Sequence, residues 1–142
     1  MKKLVTLIMV LSCIFSSYAF AAQPVEIETY ASSYFDNYSI SLSNEGDGDI
    51  KIKYFVAGKN IMDELGVKKI IIQEKTNSSW DDVKTYNSSS YSSFISKDIR
   101  SKDGSITYSG EKGNTYRAKV TFYAKDSSGS ATKTSTSSSI TV

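Results

Sequence analysis

The chain has 142 residues, enough for one domain, with 17 basic and 15 acidic residues, one cysteine and no histidine. Without imidazole, and with a single thiol, it is excluded from histidine-based triads and from the usual zinc ligand sets. The near balance of charge excludes a chain-wide field for nucleic acid or an anionic membrane.

Met1-Lys2-Lys3 is a short basic start, residues 4–15 are apolar apart from Thr6 and Ser12, and Ala19-Phe20-Ala21 offers small residues at the −3 and −1 positions. This pattern predicts a secretory signal peptide over 1–21, cleaved after Ala21, and a secreted, extracellular mature chain. The apolar run is shorter than the roughly 20 residues that span a bilayer, so no membrane span is expected in the mature chain. Val10-Leu11-Ser12-Cys13 is a poorer match to a lipoprotein signal, because Leu11 fits badly there. Cleavage would remove Lys2, Lys3 and Cys13, leaving fifteen basic against fifteen acidic residues and no disulfide. Stability must then come from burying aliphatic and aromatic side chains, each contributing about 1.5–3 kcal/mol when fully buried.

Residues 22–37 read as a lead-in segment with Pro24 near its start; the aromatic stretch Ala31-Ser32-Ser33-Tyr34-Phe35-Asp36-Asn37-Tyr38 that follows reads as a plug over the open end of a core rather than as an exposed contact surface. The domain proper is expected over 38–142. Tyr38-Ser39-Ile40-Ser41-Leu42-Ser43 alternates as a strand does, Asn44-Glu45-Gly46-Asp47-Gly48 is a turn, and residues 49–56 return with Ile50, Ile52 and Tyr54 inward and Lys51 and Lys53 outward. Residues 58–66 read as a loop whose single helical turn tucks Ile61, Met62 and Leu65 beneath it.

Residues 67–75, centred on Ile70-Ile71-Ile72, form the most apolar strand, flanked by charges that guard against aggregation. Thr76-Asn77-Ser78-Ser79 turns into a polar strand from Trp80 to Tyr86, and a serine-rich loop then carries Tyr91. Residues 94–100 read as a short irregular strand, Lys102-Asp103-Gly104 as a turn, and 105–108 as another strand. Tyr116-Arg117-Ala118-Lys119-Val120-Thr121-Phe122-Tyr123-Ala124 has a strict period of two and should be the central strand on which the others pack. A Ser/Thr-rich strand over 130–142 ends the chain. Seven or eight short strands at this spacing predict an all-β antiparallel sandwich.

Tyr116, just after Gly113-Asn114-Thr115, resembles the tyrosine corner of immunoglobulin-like and fibronectin type III sandwiches, whose phenol bonds to backbone a few residues upstream. The run from Tyr116 to Lys125 with Ser128-Gly129-Ser130 is similar to the last hairpin of fibronectin type III domains. The resemblance implies a seven-strand fold and a structural role for Tyr116. It departs from that family in having Ile52 or Tyr54 where a tryptophan would stand, and in lacking Arg-Gly-Asp, so adhesion activity does not carry over. At whole-chain scale, Ala31-Ser32-Ser33-Tyr34-Phe35, Trp80-Asp81-Asp82-Val83-Lys84-Thr85-Tyr86, Ser105-Ile106-Thr107-Tyr108-Ser109-Gly110 and the 116–124 strand look like a family of small secreted proteins of Gram-positive, clostridia-type bacteria, a domain of unknown function. That likeness implies secretion and fold but no activity.

Four strings invite a chemical reading, and each has a plainer one. Ser130-Ala131-Thr132-Lys133 matches Ser-x-x-Lys, but on a strand its two ends face opposite ways. The pairs Asp63-Glu64 and Asp81-Asp82 are adjacent along the chain, whereas glycosidase carboxyls face each other across a cleft. Glu45-Gly46-Asp47-Gly48-Asp49 has Lys51 where a calcium shell would need another acid, so a hairpin turn is the better account. Thr132, Thr134 and Thr136 share a strand face as in ice-binding arrays, but a single row makes no such surface. Three Asn-x-Ser acceptor strings, at Asn37, Asn77 and Asn87, carry no weight in a bacterial secretory context.

No catalytic residue, metal ligand or cofactor is therefore expected. The sequence points to a non-catalytic binding or adhesion accessory module, secreted or at the cell surface, for an extracellular protein or glycan. Its contacts would come from the loop aromatics Tyr91 and Phe94, with Trp80 and Tyr123 as strand-borne candidates. Core packing is the competing account of Trp80, and an ordinary cross-strand pair that of Tyr123. The alternative function is a secreted antagonist, such as a bacteriocin or a hydrolase inhibitor.

Overall fold

The computed structural model describes residues 33–142; the expected signal peptide, its cleavage point after Ala21, Cys13 and residues 25–30 lie outside the described residues. Seven strands follow in order: β1 (Phe35–Gly46), β2 (Asp49–Thr76), β3 (Ser79–Asn87), β4 (Ile95–Ser109), β5 (Thr115–Asp126), β6 (Gly129–Thr136) and β7 (Ile140–Thr141). A single 3-10 turn, Ser92–Phe94, precedes β4. Every pairing is antiparallel.

β2 belongs to both layers of the sandwich. Its first part lies between β1 and the later half of β4, and its second part lies between β5 and, on the other side, the start of β4 followed by β3. β6 and then β7 continue the second layer along β5. The sheet folds over between Ala57 and Met62, where the ladder to β4 steps from Ala57–Ser101 to Met62–Ile99. Four residues of β2 there oppose one of β4, and such a bulge bends the strand that carries it. Gly58 leaves space for the turn: a Cβ on it would lie 2.5 Å from the Met62 side chain, which folds into the core at that corner.

β5 is central, hydrogen-bonded on both sides, and its alternation explains why. Tyr116, Ala118, Val120, Phe122 and Ala124 are all fully buried, so one face of the strand is entirely core. From the opposite layer Ile50, Ile52, Tyr54 and Val56 meet it, and ring contacts tie the layers at both ends. Tyr38 lies 5.3 Å from Phe122 and Tyr108 lies 5.6 Å from Tyr116, centroid to centroid. Such pairs add about 0.5–1.5 kcal/mol beyond the area they bury. Phe35 is buried and Tyr34 and Tyr38 pack on the core, so the aromatic stretch covers its edge; β1 begins at Phe35, three residues before the expected domain start.

Three expectations are corrected. Residues 58–66 form no loop with a helical turn; β2 runs through them, and alternation buries Met62 and Leu65 while Ile61 stays 69% exposed. A helical turn would have broken the ladder to β4 on one side and to β5 on the other. Lys102-Asp103-Gly104 is no turn but the middle of β4, paired in register with Val56, Phe55 and Tyr54. Gly104 is required there because the Tyr54 ring crosses it: a Cβ would sit 2.2 Å from the phenol oxygen. The last strand is interrupted by Ser137-Ser138-Ser139 and continues as β7. At the hairpin tips Asp47 (φ 55°) and Asn77 (φ 57°) occupy the left-handed region, which short polar side chains tolerate.

Candidate functional site

Because even-numbered residues of β5 from 116 to 124 point into the core, Arg117, Lys119, Thr121 and Tyr123 project from the outer face of the second layer, whose four strands across are β3, the second part of β2, β5 and β6 (the four-strand layer). The register places their neighbours. Arg117 pairs Gln73, Lys119 pairs Ile71, Thr121 pairs Lys69 and Tyr123 pairs Gly66. On β6 the matching residues are Thr136, Thr134 and Thr132, and on β3 Asp82 pairs Gln73 while Trp80 pairs Lys75. A register shift in β3 between the Ile72 and Gln73 pairings brings Asp82 onto this face.

A connected network crosses three strands. The Gln73 amide Nε2 donates to Asp82 Oδ1 at 2.6 Å, the Arg117 Nε donates to Gln73 Oε1 at 2.8 Å, and the guanidinium lies 4.2 Å from the centre of the Trp80 ring. Gln73 is 7% exposed and is the one buried polar residue among the described residues. Its two amide ends are assigned by their partners, since a flipped amide would set its oxygen against the carboxylate. Three outward positions further along β5, Lys68 Nζ stands 4.1 Å from the centre of the Tyr123 ring. Cation–ring contacts of this kind contribute about 0.5–1 kcal/mol at exposed sites.

Beside Tyr123 runs a groove of about 530 Å³ lined by Lys68, Lys69, Asn87, Thr121, Thr132 and Thr134. Its wall is held by the Ser88 N–H, which donates to the Lys68 carbonyl at 2.9 Å, and by the Thr121 and Thr134 hydroxyls at 3.0 Å. Hydroxyls, an amide and two ammonium groups therefore line one shallow depression.

The sequence-predicted residues separate into different places. Phe94 is 2% exposed, packed edge-on against Tyr54 at 5.9 Å, and offers no face to a ligand; as a contact residue it is corrected to core, because the 3-10 turn rolls it inward. Tyr91 is 40% exposed but is not free, stacking on Phe94 at 5.2 Å and meeting the Tyr86 edge at 5.5 Å. Trp80 is half-buried outside the core cluster, so core packing does not account for it. Tyr123 is 8% exposed on the outer face, covered rather than solvated. Trp80 and Tyr123 thus share one surface, and Tyr91 with Phe94 forms a separate ring cluster at the end of the sandwich. Gln73, Arg117 and Lys68 were missed: in the sequence they are ordinary flanking polar residues, and only the pairing of β3, β2 and β5 makes them neighbours.

Tyr116 is fully buried and its phenol oxygen accepts a hydrogen bond from the Glu111 N–H at 2.8 Å, five residues upstream. The partner is thus a backbone donor. The acids of the Glu45–Asp49 turn serve their neighbours: Glu45 accepts from Ser43, Asp47 pairs with Lys112 at 3.0 Å, and Asp49 accepts from Ser109. Among the described residues no group of three metal-ligating side chains converges. Glu64 faces Lys125 at 3.5 Å, and Asp82 is held by Gln73, so neither adjacent acid pair forms a facing couple.

Proton affinities are altered mainly inside the sandwich. Burial raises the Tyr54 phenol, helped by Asp103, and burial raises Tyr86 and Tyr108 with help from neighbouring phenols. Asp126 is lowered by the hydroxyl and amide of Ser128 in the β5–β6 turn. These are packed rings and a turn carboxylate that accepts from the Ser128 hydroxyl at 2.6 Å and from its amide at 2.8 Å. No helix among the described residues is long and apolar enough to cross a membrane. Compared with known proteins, the chain matches no family model, no curated protein sequence and no solved structure.

Proposed function

We propose that the chain is an exported, non-catalytic binding module with an immunoglobulin-like or fibronectin type III-like sandwich, engaging an extracellular glycan or protein through the outer face of its four-strand layer. The seven antiparallel strands folded into two layers that share β2, and the Tyr116 bond to upstream backbone, support the likeness in fold. The basic start and apolar run of residues 1–21 support export.

The observation that carries the reading is the Asp82–Gln73–Arg117–Trp80 network. It buries an amide and pins a guanidinium on the side of the sheet away from the core, where a sandwich gains little from it. A polar network with every member paired makes a rigid surface, and preorganised surfaces bind with a smaller entropic loss. The contact surface thereby moves from the loop aromatics to the sheet.

The test is retention of the purified chain, residues 22–142, on a glycan array and on isolated bacterial cell-surface polymer. Retention that falls on Arg117→Ala with an unchanged fold supports the reading. Retention unaffected by that change, or growth inhibition of other bacteria with no retention at all, overturns it, the latter in favour of a secreted antagonist.

A further inference from the structure

We infer that the ligand of this face is an acidic polysaccharide, a chain of sugars bearing carboxylate, sulfate or phosphate groups, laid along the strands of the four-strand layer. The inference rests on the binding-module reading above and names its ligand class.

The cations on this face are arranged in a regular order. Taken across the strands, the outward positions from Tyr123 to Trp80 form five rows; beyond Tyr123 the next row pairs Lys125 with Glu64, whose charges meet at 3.5 Å. The first holds Tyr123, Gly66 and Thr132 with Lys68 over the ring. The next holds Lys69 with Thr121 and Thr134, and the third holds Lys119 with Ile71 and Thr136. The fourth holds Arg117 with Gln73 and Asp82, and the last holds Lys75 with Trp80. Each row contributes one cation, and successive rows lie about 7 Å apart because outward positions recur every second residue. The ladder of positive charge is therefore about 27 Å long, with Asp82 as its one acid, already engaged by Gln73.

This excess is spatial rather than compositional. Beyond residue 21 the chain has as many acids as bases, and the other described acids lie off the ladder: Asp36 on β1, others at the β1–β2 tip, at the fold-over of β2, on β4 and in the turns around β5, while Glu74 and Asp81 pair with each other on the alternate positions between its last two rows. A neutral protein with one cationic face attracts a polyanion locally without a long-range field.

The rest of the face discriminates among polyanions. Single-stranded nucleic acid binds by stacking bases on open aromatic faces. Here the outer faces of Trp80 and Tyr123 are occupied by Arg117 and Lys68. An anionic membrane would need an apolar rim to insert, and the rows supply threonine hydroxyls instead. Thr132, Thr134 and Thr136, together with Asn87 in the groove, offer the neutral donors and acceptors that sugar hydroxyls require.

The experiment measures binding of residues 22–142 to polygalacturonate, dextran sulfate, neutral dextran and a single-stranded oligonucleotide. Both acidic polysaccharides should bind and neutral dextran should not, with affinity falling about tenfold or more between 50 and 200 mM salt. Lys69→Gln with Lys119→Gln should weaken binding about fivefold and flatten the salt slope by about one per lysine, without changing the melting curve. The matched pair Lys51→Gln with Lys53→Gln, on the other layer, should leave binding unchanged. Equal loss in that control, or tighter binding to the oligonucleotide than to polygalacturonate, overturns the inference. Salt-insensitive binding to neutral dextran that is lost on Arg117→Ala would also overturn it while leaving the binding module standing; no retention on any polymer or surface would remove both.

Discussion

The guanidinium of Arg117 on β5 covers the ring of Trp80 on β3 at 4.2 Å, although β2 runs between the two strands. The reach is possible because Gln73, on the intervening strand, holds the Arg117 Nε and turns its plane toward the indole. A lysine could not reproduce this, since it lacks both the planar fork and the stacking surface.

The chain has one tryptophan, so its fluorescence reports this contact alone. Arg117→Ala should red-shift the emission as water reaches the ring, while lowering stability by about 1 kcal/mol or less. Arg117→Lys should restore the charge but not the emission wavelength. An unshifted spectrum in both variants would mean that the cation does not shield Trp80 in solution.

Tyr116→Phe removes the acceptor of the Glu111 N–H and leaves that donor unpaired in a partly buried turn. A loss of about 1–3 kcal/mol is expected from chemical denaturation, at unchanged denaturant slope. A midpoint equal to that of the parent chain would show that the phenol is dispensable and that ring burial alone anchors the strand.

Gly104→Ala tests the close approach that displaced the expected turn. The new Cβ would lie 2.2 Å from the Tyr54 oxygen and 2.4 Å from its ring, and that ring is locked between the layers. Overpacking of this kind costs about 1–3 kcal/mol. Tyr54→Ala in the same background should relieve the clash, so the two changes together should be less damaging than the sum of each alone. Strict additivity would argue that the ring does not cross the glycine.

Alkaline pH should unfold the sandwich through its tyrosines. In Tyr54, Tyr86 and Tyr108 the folded-state pKa is raised above the ordinary value near 10, chiefly by burial, so the folded chain holds protons that the unfolded chain releases. Their contribution is fully present below pH 10 and is lost as pH rises through the raised folded values. Thermal melting followed from pH 8 upward should stay level to about pH 10 and then fall. Tyr86→Phe should make the fall shallower, and an identical pH profile in that variant would remove Tyr86 from the effect.

Much of the fold was legible because alternation is a local property. The period of two in 116–124, the charges beside Ile70-Ile71-Ile72 and the Asn/Gly turn residues specify strands and tips without reference to anything distant. The failures share one cause. Residues 58–66 and 102–104 carry glycines that in isolation favour a loop or a turn, yet β2 and β4 pair on both sides of the bulge at 58–61, and tertiary pairing outweighs local preference. Gly104 signals a neighbouring ring rather than a reversal, and the residue that makes it necessary, Tyr54, is fifty positions away.

By itself the sequence determined that the chain is a β-structure with one greasy face per strand and that histidine chemistry is closed to it, because composition and short-range periodicity carry that information. Only the tertiary structure decided which outward residues are neighbours. Trp80, Gln73 and Arg117 are separated by up to 44 residues along the chain and meet solely because β3, β2 and β5 lie side by side in one register. Strand order depends on how two layers bury their faces against each other, a property of the whole chain that no local window contains.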